Sequence, residues 1–332
     1  MGALLRPPPH LIPFGLRAMK TVASARGEFK IGARRFLEAA QRVLLGVEVD
    51  LDALDPIEPA EFALRFDAPL ALKQQFVRAM CVLTLVDGSP DERVTAAVRR
   101  FAREVAIEEP ALRALELLAE GHVLLGTLDY LRRSNLRGML EGELAKGILP
   151  AARAVLGVRG LVENPLIAEP FLALEDLPVG TLGRALFDHY RSNGFAFPGE
   201  RYGFPESGIY HDLTHVLAGY ATNPYGELQI GAFTAGFRKK DPFFVALLPL
   251  LLFVAGVNVT PIPHDFIEGM WLEPDVAESY LRAFDRGAKV RVDLSDGWDF
   301  WPLLARDLEH VRTELGIAGG VSGSFENDGR ST

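Results

Sequence analysis

The sequence predicts an all-α protein. Three observations carry that expectation: apolar residues recur at helical spacing, helix starts and stops are written in the expected residue types, and strand-like alternation is scarce. In "DERVTAAVRRFAREVAI", Val94, Ala97, Val98, Phe101 and Val105 fall on one face, and the charges fall on the other. Pro90-Asp91-Glu92 supplies the start of that helix, with Ser89 as the expected N-cap and acids in the first turn. The following "EPALRALELLAEGHVLLGTLDYLRRSN" has a proline in its first turn and ends in basic residues and Asn, which reads as one helix. Residues 15–135 therefore read as a helical bundle.

Composition frames what such a bundle can be part of. The chain has 332 residues, 48% hydrophobic and 24% charged, enough for a sizeable core and two domains. A net charge of −9 excludes nucleic acid as an expected partner, because binding phosphates needs a cationic face. The single cysteine, Cys81, rules out a disulfide framework and sits in the apolar run "AMCVLTLV" as a small core residue. A reducing, cytoplasmic compartment is expected. "MGALLRPPPHLIPFGLRAMK" has no secretory h-region; it is free of acids until Glu28, as in a transit peptide, but its prolines would break the amphipathic helix.

Near 134–150 the composition changes and a domain boundary is expected, with a second domain over 136–317 and a disordered tail over 318–332. The most apolar stretch of that half, "PFFVALLPLLLFVAGV" (242–257), is shorter than the ~20 residues of a membrane span and is interrupted by Pro249. Phe243, Phe244, Leu247 and Leu251 make it either the wall of a lipid groove or a core helix. Gly180 and Gly183 in "LPVGTLGRA" belong to no phosphate loop; they suit a turn and helix that pack closely. No G-x-S-x-G or reactive-cysteine context occurs.

The stretch that carries chemistry is "HDLTHVLAGYATNPYGE", 211–227. With Ser207 as N-cap, a helix places His211, His215 and Asp212 at about 0°, 40° and 100°, on one face. The i,i+4 histidine pair is the spacing with which helical H-E-x-x-H segments chelate zinc. Gly219 weakens the helix, and Asn223-Pro224 starts a second one that would bring Glu227 back to the histidines. Two imidazoles and two carboxylates suit a divalent ion, Zn²⁺ first, with Fe²⁺, Co²⁺ or Mn²⁺ as alternatives. "PHDFIEGMW" sets His264 and Glu268 at i,i+4, either as an accessory pair near such a site or as a solvated helix start after Pro263. His122 and His189 lack acidic partners at metal spacing and read as structural.

Two resemblances follow from these residues. "FVRAMCVLTLVDGSPDERVTAAVRRFAREVAIEEPALRALELL", within about 20–135, resembles the tellurite-resistance TerB-like module, with "VDGSPDE" in place of its "ADG" turn. Asp87, Asp91 and Glu92 there could bind a cation or simply serve turn and helix start. The motif H-D-x2-H-x11-E resembles that of the coenzyme Q biosynthesis protein 4 family. The likeness extends over about 140–317, through "LPVGTLG" upstream and "ELGI" downstream. The chain departs from the family in "GFPESGIY" before the HD pair and in lacking a Lys and second Glu after Glu227.

The resemblance implies that the second domain is all-α and that His211, Asp212, His215 and Glu227 are the metal ligands. It implies a role in ubiquinone biosynthesis, with oxidative decarboxylation of a polyprenylated hydroxybenzoate as the chemistry. It also implies lipid binding, other quinone-biosynthesis proteins as partners, and a place at the inner-membrane face (the matrix side in a eukaryote). A homodimer fits the same picture. Two other classes stay open: a lipid-binding scaffold with a structural metal, and a metal-dependent hydrolase. The HD pair is similar to that of HD phosphohydrolases, whose further His and Asp are not evident here.

Overall fold

The computed structural model describes residues 4–133, 161–260, 266–295 and 297–317. Among them there is no β-sheet, and one isolated bridge joins Thr181 to Asp307. The protein is all-α, as its periodicity predicts. The expected boundary near 134–150, the tail 318–332 and His264 lie outside the described residues.

Seven α-helices precede residue 134: α1 (Ile12–Ala23), α2 (Ile31–Ala40), α3 (Pro59–Arg65), α4 (Leu70–Leu83), α5 (Glu92–Glu104), α6 (Pro110–Ala119) and α7 (Val123–Arg133). The start of α5 differs from expectation. Asp91, not Ser89, is its N-cap and accepts from the Arg93 and Val94 N–H groups, because a carboxylate next to the first turn reaches two orphan donors. Ser89 Oγ donates to the Ala255 carbonyl instead. Asp87 accepts from the Gly32 and Ala33 N–H groups at the start of α2, so the "VDGSPDE" turn serves helix starts. The long helix expected after Glu109 is two helices. Gly121 takes a left-handed φ of 79° and ends α6 before α7 begins.

Beyond residue 160 the helices are α8 (Pro165–Leu172), α9 (Leu182–Ser192), α10 (Ile209–Ala218), α11 (Pro224–Phe237), α12 (Pro242–Pro249), α13 (Val276–Gly287) and α14 (Leu308–Leu315). Gly183 N–H donates to the Leu304 carbonyl, the close packing that "LPVGTLG" suggested. The apolar stretch from Pro242 forms α12 and then a π-turn, Leu250–Val254, after Pro249 has removed a helical N–H. No described helix is long and apolar enough to cross a membrane.

Both halves share one hydrophobic core, which includes Cys81. Trp271, 1% exposed, is the main bolt between them: its indole N–H donates to the Gly32 carbonyl, and its ring lies beside Phe36 and Tyr280. Tyr130 of α7 donates to the Phe244 carbonyl of α12, and Arg42 pairs with Glu278 at 2.8 Å. Inside the second half, α11 crosses α13 at backbone contact. A Cβ on Gly287 would stand 1.9 Å from the Phe233 carbonyl oxygen, and one on Gly236 2.5 Å from that of Phe284. That crossing fixes the helix that begins one turn before Glu227.

Because backbone atoms meet there, Gly287→Ala has no side chain to push aside and must separate the two helices. A loss of about 1–3 kcal/mol is expected from overpacking, read as a lower urea midpoint at unchanged slope. An unchanged midpoint would show the crossing to be loose.

Candidate metal centre

Helix α10 presents His211 and His215 on one face and drives Leu213 and Leu217 into the core on the other. It stops at Gly219, whose φ of 75° turns the chain left-handed and whose N–H returns to the His215 carbonyl. Asn223 then caps α11 by accepting from the Gly226 N–H at 3.0 Å, with Pro224 in the first helical position. Gly226 lets this second start fold back tightly, since a Cβ there would lie 1.9 Å from the Ala221 carbonyl oxygen. The result is the expected helix–turn–helix, and it delivers Glu227 to the histidines.

Two imidazole nitrogens and both carboxylate oxygens of Glu227 meet there. His211 Nε2 and His215 Nε2 are 3.2 Å apart, and each lies 3.2 Å from an oxygen of Glu227. Four-coordinate binding at ~2.0–2.1 Å sets ligand atoms about 3.3 Å apart, so these separations are compatible with a metal's ligand set. The tautomer fits as well. His215 Nδ1 lies 3.2 Å from the Tyr220 carbonyl, which can only accept, so Nδ1 carries the proton and Nε2 offers its lone pair. His215 is buried, while the His211 side chain is 50% exposed, which leaves the group approachable from one side.

Two imidazoles and a carboxylate at this distance need a shared proton or a cation between them. Desolvation works against charge on His211, but the Glu227 carboxylate outweighs it and lifts the imidazole to about 9. Burial likewise opposes ionisation of Glu227, and His211 and His215 reverse it, holding the carboxyl well below its usual range. The same pocket can therefore be satisfied by a proton on His211 or by a metal ion.

The surroundings hold the ligand helix rigidly. Its last carbonyls face two arginines: Arg286 donates to Ala218 at 2.6 Å, and Arg312 donates to Leu217 and Val216 at 2.9 and 2.8 Å. Cations at a helix C-terminus satisfy its orphan carbonyls and its dipole together. Arg286 also lies over the ring of Tyr220, the residue that orients His215. His189 of α9 stacks on His215 at a ring separation of 5.9 Å, and burial followed by the neighbouring His215 pushes its imidazole toward the neutral form.

The other expected residues fall elsewhere. Asp212 lies at the edge of the site, where it accepts a hydrogen bond from Tyr190; the donors gathered within 4.8 Å of one another are those of His211, His215 and Glu227. Glu268 stands exposed in a turn. Phe243, Phe244, Leu247 and Leu251 are all buried in the core, and it is Leu248 of the same helix that reaches a cavity. That cavity, about 1060 Å³, opens beside His211, Asp212 and Glu227. Its apolar wall is built by Leu172, Phe195, Tyr202, Phe204 and Leu248, with Tyr190 at the end nearest His211 and Asp212. The sequence does not single out Tyr190, Arg286 and Arg312, and His189 reads there as structural. None stands at a motif spacing from 211–227; only the helical phase of Leu186, Phe187 and Tyr190 hinted that Tyr190 faces inward.

No family model matches the chain, and no curated protein is similar to it. Among solved structures, a crystal structure of a Nostoc punctiforme protein provisionally named for ubiquinone biosynthesis is similar at 18% identity and a TM-score of 0.35, covering 63% of this chain and 96% of that one.

In metal-free protein His211 holds its proton above the ordinary value of 6.5, so its stabilising pair with Glu227 is complete below that pH and is lost as pH rises through about 9. Glu227 sets the other limit, its contribution fading only as pH falls below the ordinary 4.5. Metal uptake at pH 7.5 should accordingly displace roughly one proton per ion, seen as a calorimetric enthalpy that varies with buffer ionisation heat. A buffer-independent enthalpy would contradict the protonated state.

Arg312→Ala strips two carbonyls of a charged donor and should destabilise the fold by about 2–4 kcal/mol. Thermal unfolding measures this, and Arg312→Lys is expected to restore only part of it.

Proposed function

We propose that this protein is a metal-dependent protein of quinone biosynthesis that acts on a polyprenylated hydroxybenzoate. The observation that carries the reading is the cluster of His211, His215 and Glu227, with contacts of 3.2 Å, at the end of an apolar cavity of about 1060 Å³. Sites of this size suit a ring and the first part of a chain, with few polar groups to fix orientation.

In this reading His211, His215 and Glu227 hold a divalent ion, zinc in the first instance. When bound, it supplies Lewis acidity for a substrate carboxylate or phenolate and for charge that develops as CO₂ leaves. The chain does the rest. Half-exposed His211 leaves the substrate an approach from the cavity. Phe195, Phe204 and Leu172 exclude water around the ring, and Leu248 extends that apolar wall. Arg191, held at the cavity wall by Glu200, keeps its aromatic neighbours Phe187 and Phe197 in place. The overall change replaces the ring carboxylate by hydroxyl at the same carbon. It releases CO₂ and is a net two-electron oxidation; with dioxygen as the external oxidant it balances as ArCOOH + O₂ + H₂O giving ArOH + CO₂ + H₂O₂.

A membrane-facing role fits the rim of the cavity. Tyr202 is 66% exposed there, and Leu166, on the helix that supplies Pro165 and Ala168 to the wall, is 82% exposed. A polyprenyl chain leaving a bilayer, or handed over by another quinone-biosynthesis protein, would enter past these residues.

Purified protein is expected to carry one metal ion per chain by mass spectrometry of the metals. His211→Ala and Glu227→Ala should each weaken binding by about 100-fold or more. Metal retained in both variants would sink the ligand assignment. In a strain lacking the protein, a carboxylated prenyl-phenol should accumulate and complementation should clear it; an unchanged quinone profile would point to another substrate.

A further inference from the structure

Asp212 follows His211 directly, yet the structure gives its carboxylate a different partner. Tyr190 of α9 donates to Asp212 Oδ2 across 22 residues of chain, while the donors of His211, His215 and Glu227 form their own group. The tyrosine is not free to swing away. Its ring lies flat on Phe197 at a centroid distance of 4.1 Å and an angle of 6°, Phe195 meets it edge-on, and Phe197 is itself stacked on Phe171. With the ring 3% exposed, the phenol oxygen is held at one point, beside Asp212. Helical phase works in the same direction. Asp212 is turned about 100° from His211 around α10, toward α9, whereas His215 is turned only about 40°.

We propose that this chain builds a three-ligand centre from His211, His215 and Glu227, and that Tyr190 is a positioning residue which holds Asp212 beside the metal rather than on it. The inference rests on the metal reading given above and refines it. Two neutral imidazoles and one carboxylate around a divalent ion leave a net charge of +1 and open positions. Two histidines and one carboxylate would hold a divalent ion and leave it positions for a substrate. Asp212 borders the cavity next to that opening, where its second carboxylate oxygen can accept a hydrogen bond from a bound hydroxyl. A four-residue shell would fill the position that an anionic substrate needs.

The test is metal binding and the visible spectrum of the Co²⁺-loaded protein, for wild type, Asp212→Asn, Tyr190→Phe, the double variant Tyr190→Phe/Asp212→Asn, and His211→Ala as control. Circular dichroism serves as the check on folding. Asp212→Asn should keep one ion per chain with affinity within about tenfold of wild type and an unaltered Co²⁺ spectrum. Tyr190→Phe frees the carboxylate to reach the ion, so its spectrum should change and its affinity rise; the double variant should return to the wild-type spectrum. If Asp212→Asn loses the ion as His211→Ala does, Asp212 is a ligand and the proposal is overturned. A Tyr190→Phe spectrum identical to wild type would remove the tyrosine's role. Metal retained by His211→Ala would instead overturn the underlying metal reading, so the two failures are distinguishable.

Discussion

Two imidazole nitrogens and a carboxylate drawn to 3.2 Å of one another form an arrangement that a folded chain holds only with a proton or a metal ion among them. The surrounding structure is organised to keep them together whichever it is. Gly219 and Gly226 make the turn short enough, Asn223 starts the returning helix in register, and the backbone contact of α11 with α13 fixes where that helix lies. The Tyr220 carbonyl sets the tautomer of His215. Loosening any of these spreads the donors and gives up the attraction that offsets desolvation of Glu227.

Much of this was legible in the sequence because it is local. H-D-x2-H-x11-E places its groups through helix phase and one turn, both of which residue types announce: a glycine at the stop, Asn-Pro at the restart. The bundle before residue 134 was legible through periodicity for the same reason. Reading failed where a local signal had two solutions. Glu109-Pro110 to Asn135 has the composition of one helix, but Gly121 could reverse the chain and did. Ser89 and Asp91 are both capping residues, and only packing against Ala255 decided between them.

Long-range partners left no trace. Tyr190 reaches Asp212 from 22 residues away, and Arg312 reaches Leu217 from 95. No spacing rule links such pairs, since tertiary packing alone brings them together. The apolar segment from Pro242 shows the converse limit. Its hydrophobicity fitted a groove wall and a core helix equally, and the difference lies in which side chain faces empty space. Leu248 does; Phe243, Phe244, Leu247 and Leu251 face the core.

The arginine cap on α10 also has a consequence for chain entropy. The candidate ligands lie within seventeen consecutive residues, so the contacts that gather them close a short loop at low entropic cost. The cap that stiffens the same helix comes from α13 and α14, and the loop it closes through Arg312 spans 95 residues. Closing a loop of that length costs more chain entropy than closing the short one. The donor cluster is thus closed by local chain, while the cap on its helix is closed by distant chain, so α14 supports the site although it contributes no group to it.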